Sequence, residues 1–115
     1  LCITKSGTIT LEIASQSTPM IIFYRTSPLL YFFGMGLSQT PYAGLVNVLA
    51  GDEICPEKVM RRDAPDWLAE QVVEMYLRPA RWEKCHRALG KIMESVARPG
   101  ASERAARIVL KLLQE

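Results

Sequence analysis

Lys5-Ser6-Gly7-Thr8-Ile9-Thr10-Leu11-Glu12 follows the apolar tetrapeptide Leu1-Cys2-Ile3-Thr4 and runs on into Ile13-Ala14. The tetrapeptide has the unbroken apolar character of a parallel strand covered on both faces. The segment from Leu11 onward reads as a helix, so a Ser-Gly-Thr turn joins a strand end to a helix start. Backbone N–H groups are unsatisfied at such a start, and the helix dipole favours an anion there. Gly7 lacks the Cβ that would hold a diphosphate off the backbone. Glu12 lies in the early turns of the helix, where a carboxylate can accept both hydroxyls of a ribose. A capping box would give it a local role instead, but that needs Ser or Thr three residues earlier, and Ile9 stands there. The arrangement fits a nucleotide and, more particularly, a nucleotide sugar.

Working outward, Pro19–Tyr24 is the second apolar run, and Leu1–Thr4 and Pro19–Tyr24 are the two strands that apolar character marks. A two-stranded parallel piece has raw edges and marginal stability, so further strands are expected from residues outside the chain. Arg25 ends the second strand at its carboxyl edge, where ligands sit in open α/β sheets. A guanidinium there can meet phosphate oxygens bidentately or close an ion pair, and the two readings stand level. Ser27-Pro28 reads as N-cap and first helical residue, and the helix Pro28–Leu37 is apolar around most of its girth. Such a helix is buried against the sheet or another domain, or forms a greasy interfacial patch. Asn47 lies between Val46 and Val48, and a buried amide there needs partners, as a loop staple or at the border of a site.

Hydrophobic residues make up 49% of the 115 and charged residues 23%, as in ordinary globular domains. A net charge of +2 gives no footprint for nucleic acid. The stretch Thr26–Gly51 carries no Asp, Glu, Lys or Arg, yet prolines and glycines break it well short of a membrane span. Cys2, Cys55 and Cys85 form neither a CxxC pair nor a disulfide framework, and with one histidine no metal site is expected. Buried thiols in a reducing cytoplasm fit best. Past Asp63-Ala64-Pro65-Asp66, a helix start, Leu68, Val72, Met75 and Tyr76 recur at helical spacing until Pro79 breaks the run. Trp82, Cys85, Leu89, Ile92, Met93 and Val96 form a second stripe, and Ala105, Ile108, Val109, Leu112 and Leu113 a third, after Pro99-Gly100. These stripes are expected to cover the sheet, cross to another domain, or pack on a second subunit. His86, inside the second stripe's helix, reads as structural rather than as a base.

Taken in order, Ser6-Gly7-Thr8-Ile9-Thr10-Leu11-Glu12, Pro19-Met20-Ile21-Ile22-Phe23-Tyr24-Arg25, Asn47-Val48-Leu49-Ala50-Gly51 and Pro56-Glu57 resemble the C-terminal part of the lipid-A-disaccharide synthases. The resemblance spans essentially the whole chain. It implies an α/β fold: the C-terminal portion of a Rossmann-like domain of a GT-B inverting glycosyltransferase, with two or three parallel strands followed by a helical C-terminal segment. Residues 1–62 then form the donor half, and residues 63–115 helices that pack on the sheet, the family's N-terminal domain or a second subunit. The implied reaction transfers diacylglucosamine from UDP-2,3-diacylglucosamine to 2,3-diacylglucosamine 1-phosphate in lipid A biosynthesis, with no cofactor.

On that resemblance Ser6, Gly7, Thr8, Thr10, Glu12 and Arg25 bind the UDP diphosphate and ribose, and Asn47 and Gly51 lie on the sugar-side loop. No catalytic residue is expected in this chain, since the family's base belongs to an N-terminal domain expected outside it. The resemblance also implies a homodimer and a cytoplasmic protein in peripheral contact with the inner membrane. Three positions depart from the family pattern: Val46 where proline is usual, Asp52 where arginine is usual, and Ser17 where glycine commonly ends the first helix. Serine in that left-handed position costs about 1 kcal/mol more than glycine. The alternative is a non-catalytic remnant or interaction module of a UDP-sugar GT-B protein.

Overall fold

The structure, a computed structural model, describes residues 1–27, 40–97 and 99–113. The helix expected at Pro28–Leu37 lies outside the described residues. In chain order the elements are β1 (Cys2–Lys5), α1 (Ile9–Ser15), β2 (Met20–Arg25), α2 (Leu45–Ala50), β3 (Glu57–Met60), α3 (Pro65–Leu77), α4 (Pro79–Val96) and α5 (Ala101–Leu112). The strands form one parallel sheet in the order β1-β2-β3, the α/β arrangement of a Rossmann-like piece. Cys2 pairs with Met20 and Lys5 with Phe23, while Ile22 pairs with Glu57 and Arg25 with Met60.

The sheet thus has a third strand besides the two apolar runs. β3 is an edge strand whose first residues, Glu57 and Lys58, are charged, so the rule of continuous apolarity passes over it. Lys58 lays its ammonium over the Trp67 ring at 5.2 Å, a contact that screens the strand without requiring an apolar residue.

β2 is central, and Met20, Ile21 and Ile22 are all buried. Met20 and Ile22 join Ala14, Val46, Cys55, Met75, Cys85 and Leu89 in one core. Ile21 alternates to the opposite face and is equally covered. Each such aliphatic chain contributes about 1.5–3 kcal/mol by leaving water. Toward its carboxyl end β2 opens out, with Tyr24 and Arg25 exposed.

Proline sets the helical breaks. Pro65 and Pro79 each stand at the start of a helix, where the missing N–H costs nothing, and Arg78 is both the C-cap of α3 and the N-cap of α4. α4 packs against α1, α2 and α3 through Cys85, Leu89 and Ile92. The second stripe therefore covers the sheet's own helices, although Val96 at its end is exposed. α5 begins after Gly100 in the left-handed conformation and buries none of its residues.

Ser17 takes the left-handed conformation, φ 49°, that its place past α1 demands. Its N–H returns to the Ala14 carbonyl at 2.7 Å, and its own carbonyl accepts His86 Nδ1–H at 2.6 Å. A carbonyl only accepts, so Nδ1 carries the proton. His86 is therefore the pin that fastens α4 to the far end of α1, away from the Gly7 turn.

Candidate functional site

The carboxyl ends of three parallel strands define one edge of the sheet. Ser6, Gly7 and Arg25 lie at it, whereas Asn47 and Gly51 lie on and just past α2, beside the loop that leads into the amino end of β3. Ser6 leaves β1 with its N–H bonded to the Phe23 carbonyl at 2.9 Å. Gly7 follows at φ +152°, a conformation open to glycine, and none of the described residues lies within 4 Å of where a Cβ would stand. Backbone geometry, not packing, selects glycine here, and the space above the turn is open.

Thr10 shapes the turn from beneath. It is fully buried, and its hydroxyl and N–H both donate to the Gly7 carbonyl, at 2.7 and 3.1 Å. Leu11 and Glu12 return their N–H groups to Thr8, whose side chain makes no capping bond. The N–H groups of Gly7, Thr8 and Ile9 consequently have no partner among the described residues. Glu12 is exposed on α1, and its carboxylate makes no hydrogen bond or ion pair among the described residues. Donors for an anion and a carboxylate for a diol thus lie along one short segment.

Ser6 is committed elsewhere. Its hydroxyl donates to the Ala43 carbonyl at 2.6 Å, which ties the turn to the segment leading into α2. Arg25 stands at the same edge, two residues beyond the strand position that pairs with Lys5. Its guanidinium lies 3.1 Å from Asp63, with both side chains largely exposed. Such a pair is worth about 0–1 kcal/mol and leaves the guanidinium able to exchange partners.

Asn47 is fully buried in α2 and fully occupied. Its Nδ2 donates to the Cys55 carbonyl at 2.8 Å and to Glu57 Oε2 at 2.7 Å, and its Oδ1 accepts the N–H groups of Ile54 and Cys55, both at 3.0 Å. Both donor hydrogens and both lone pairs are used, so Asn47 staples the loop between α2 and β3. Gly51 caps α2 at φ +66° with open space around it, and Asp52 beside it accepts the Glu53 N–H at 2.8 Å. Glu57 has a part that sequence reasoning did not give it. Its carboxylate accepts Ala43 N–H at 2.7 Å and Gly44 N–H at 2.9 Å, besides the Asn47 amide. The one available signal was Glu57 following Pro56 in the quoted motif.

Cys55 and Cys85, 30 residues apart, bring their sulfurs to 3.3 Å. The hydrogen bond to Cys85, reinforced by burial, pushes the Cys55 thiol up, and the same bond draws Cys85 down. Either sulfur can donate to the other, and both belong to the core. Among the described residues no three acidic, cysteine or histidine groups converge as a metal site, and no helix is long and apolar enough to cross a membrane.

Comparison with known proteins bears on the same stretch. The profile of the family described as lipid-A-disaccharide synthetase matches residues 1–112. The chain is similar to the lipid-A-disaccharide synthase of Geobacter sulfurreducens, 39% identical over 111 residues that cover 96% of the chain and 29% of the relative. It is also similar to the enzymes of that name from Sulfurihydrogenibium sp. (37% identical, 98% of the chain, 29% of the relative) and Gluconobacter oxydans (34% identical, 98% of the chain, 28% of the relative). The chain thus spans under a third of the length of these curated relatives, a share of 28–29%.

Proposed function

The chain belongs to the lipid-A-disaccharide synthase family, and from that premise we propose that it supplies the UDP-binding part of an inverting glycosyltransferase. The whole protein would transfer diacylglucosamine from UDP-2,3-diacylglucosamine to 2,3-diacylglucosamine 1-phosphate, releasing UDP. Residues 1–62 form the donor half of the site, and residues 63–115 back it with helices.

Within that half the diphosphate meets the unpartnered N–H groups of Gly7 and Thr8, and Glu12 accepts the ribose hydroxyls. Ser6 and Thr10 set the turn's shape through Ala43 and Gly7. Arg25 exchanges Asp63 for a phosphate oxygen. Asn47 and Gly51 border the sugar by fixing their loop, Asn47 through its four hydrogen bonds and Gly51 through its left-handed cap. The base that deprotonates the acceptor hydroxyl comes from the N-terminal domain that the family resemblance implies. A homodimer at the cytoplasmic face of the inner membrane, reached by peripheral contact, completes the reading, since acylated substrates are drawn from a bilayer.

The observation that carries it is the Gly7 turn, which among the described residues is open, with donors unspent beside a Glu12 that has no partner there, in the stretch where the family motif falls. Calorimetric titration of UDP into this chain and into Glu12→Ala tests it. Losing a charge-assisted hydrogen-bond pair costs about 1.5–3 kcal/mol, so affinity should fall at least about tenfold. Equal affinities in two folded proteins would put the ribose elsewhere.

A further inference from the structure

The segment leading into α2 is held from two sides through a single peptide neighbourhood. From one side the Ser6 hydroxyl donates to the Ala43 carbonyl at 2.6 Å. From the other, three N–H donors converge on the Glu57 carboxylate: Ala43 N–H on Oε1 at 2.7 Å, Gly44 N–H on Oε2 at 2.9 Å, and Asn47 Nδ2 on Oε2 at 2.7 Å. Glu57 opens β3, opposite Ile22 of the central strand, so the clamp is anchored in the sheet.

Gly44 leaves no slack. A Cβ there would come within 2.7 Å of Ile22 Cδ1 and 2.8 Å of Glu57 Oε2, so its backbone is seated directly on the strand and the carboxylate.

We propose that Glu57 is a positioning residue for the Ser6–Gly7–Thr8 turn, acting through Ala43. The inference rests on the nucleotide reading only for what the turn binds; the mechanical link stands on the distances above. A carboxylate suits the place because its three hydrogen-bond partners are all donors, and its two oxygens serve all three. Glutamine has the same length but only one oxygen. Its NH2 group must then oppose either the Ala43 N–H or the pair formed by Gly44 N–H and Asn47 Nδ2. The clamp slackens on one side, Ala43 shifts, and the Ser6 hydroxyl follows or lets go.

The test uses Glu57→Gln and Ser6→Ala, singly and together. Without ligand, the backbone amide resonances of Gly7, Thr8 and Ile9 are followed in folded protein. None of these residues is hydrogen-bonded to Glu57, so their displacement in Glu57→Gln is the expected result and unchanged positions would overturn the proposal. UDP titration well below the unfolding midpoint should show each single variant weaker by between about two- and tenfold, one lost hydrogen bond's worth. The double variant should be no weaker than the weaker single one, because both cut the same link. Additive losses would mean that Glu57 acts independently of the Ser6–Ala43 link, and would overturn the proposal.

If Glu57→Gln does not fold, Ser6→Ala tests the link from the other end. The Ala43 and Gly44 amides should move, and their failure to do so would sink the idea. A parent chain that binds no UDP counts against the nucleotide reading, while the amide displacements still decide for or against the clamp.

Discussion

Around Glu57 three donors meet one carboxylate and Asn47 spends every hydrogen-bonding site it has, whereas along α5 not one residue is buried. The first region is held by directional contacts between segments far apart in sequence. The second is held by its own neighbours: Arg104 donates to the Pro99 carbonyl at 2.7 Å, and Arg107 pairs with Glu103 one turn back at 2.7 Å. Its apolar stripe, Ile108, Val109, Leu112 and Leu113, stands in the open. Two kinds of pattern are thus at work. Buried polar groups fix one geometry, because any other arrangement strands them. An amphipathic stripe fixes only that something apolar can cover it.

The largest effect that would break this contrast belongs to Asn47→Ala. The substitution strands the Cys55 N–H and carbonyl, leaves the Ile54 N–H with the Asp52 carbonyl alone, and removes one donor from Glu57. Each unsatisfied buried group costs about 1–3 kcal/mol, and partial access of water to the loop recovers some of it, so a total of about 3 kcal/mol or more is expected. Urea unfolding followed by circular dichroism measures it. A loss below about 1 kcal/mol would show that the loop repairs itself and that the network does not fix the shape.

Gly44→Ala comes next. Its new methyl meets Ile22 Cδ1 and a Glu57 oxygen, both under 3.0 Å. Ile22 can rotate only into a filled core, and Glu57 can withdraw only by giving up its donors. Overpacking of this kind costs about 1–3 kcal/mol. The same unfolding measurement applies, and a neutral outcome would mean the segment floats rather than sits on β2.

These two residues also mark how far the sequence could be read. The apolar runs of β1 and β2, the helix start at Pro65, the break at Pro79 and the turn at Gly100 all follow from local rules, and all are present. β3 escaped because an edge strand needs no apolar run. Asn47 remained open between staple and site because a buried amide announces need, not partner. The pairs Cys55–Cys85, Ser6–Ala43 and His86–Ser17 join positions 30, 37 and 69 residues apart, and no local spacing encodes them. Of the turn between β1 and α1, Gly7 and the placement of Glu12 on the helix were legible. The inward commitment of Ser6 and Thr10 was not, since a hydroxyl in a turn looks the same whether it faces ligand or carbonyl.

The smallest effect is expected on α5, and it tests the contrast from the opposite side. Ile108 and Leu112 are 63% and 67% exposed. Replacing both by serine removes apolar surface that water already touches. At low protein concentration the unfolding free energy should change by no more than about 0.5 kcal/mol, the ordinary range for surface substitutions. A loss of about 2 kcal/mol or more per residue at that concentration is what a covered aliphatic chain gives. It would mean that α5 packs within its own chain, and the contrast would fall. A loss that emerges only as concentration rises has a different cause, because binding of a second copy stabilises the folded form by mass action. Unfolding midpoints for parent and double variant at two concentrations, about a hundredfold apart, separate these cases. Over that ratio the free copy rises at most about tenfold in effect, so self-association stabilises the parent by up to about 1.4 kcal/mol per chain, still clear of the surface range.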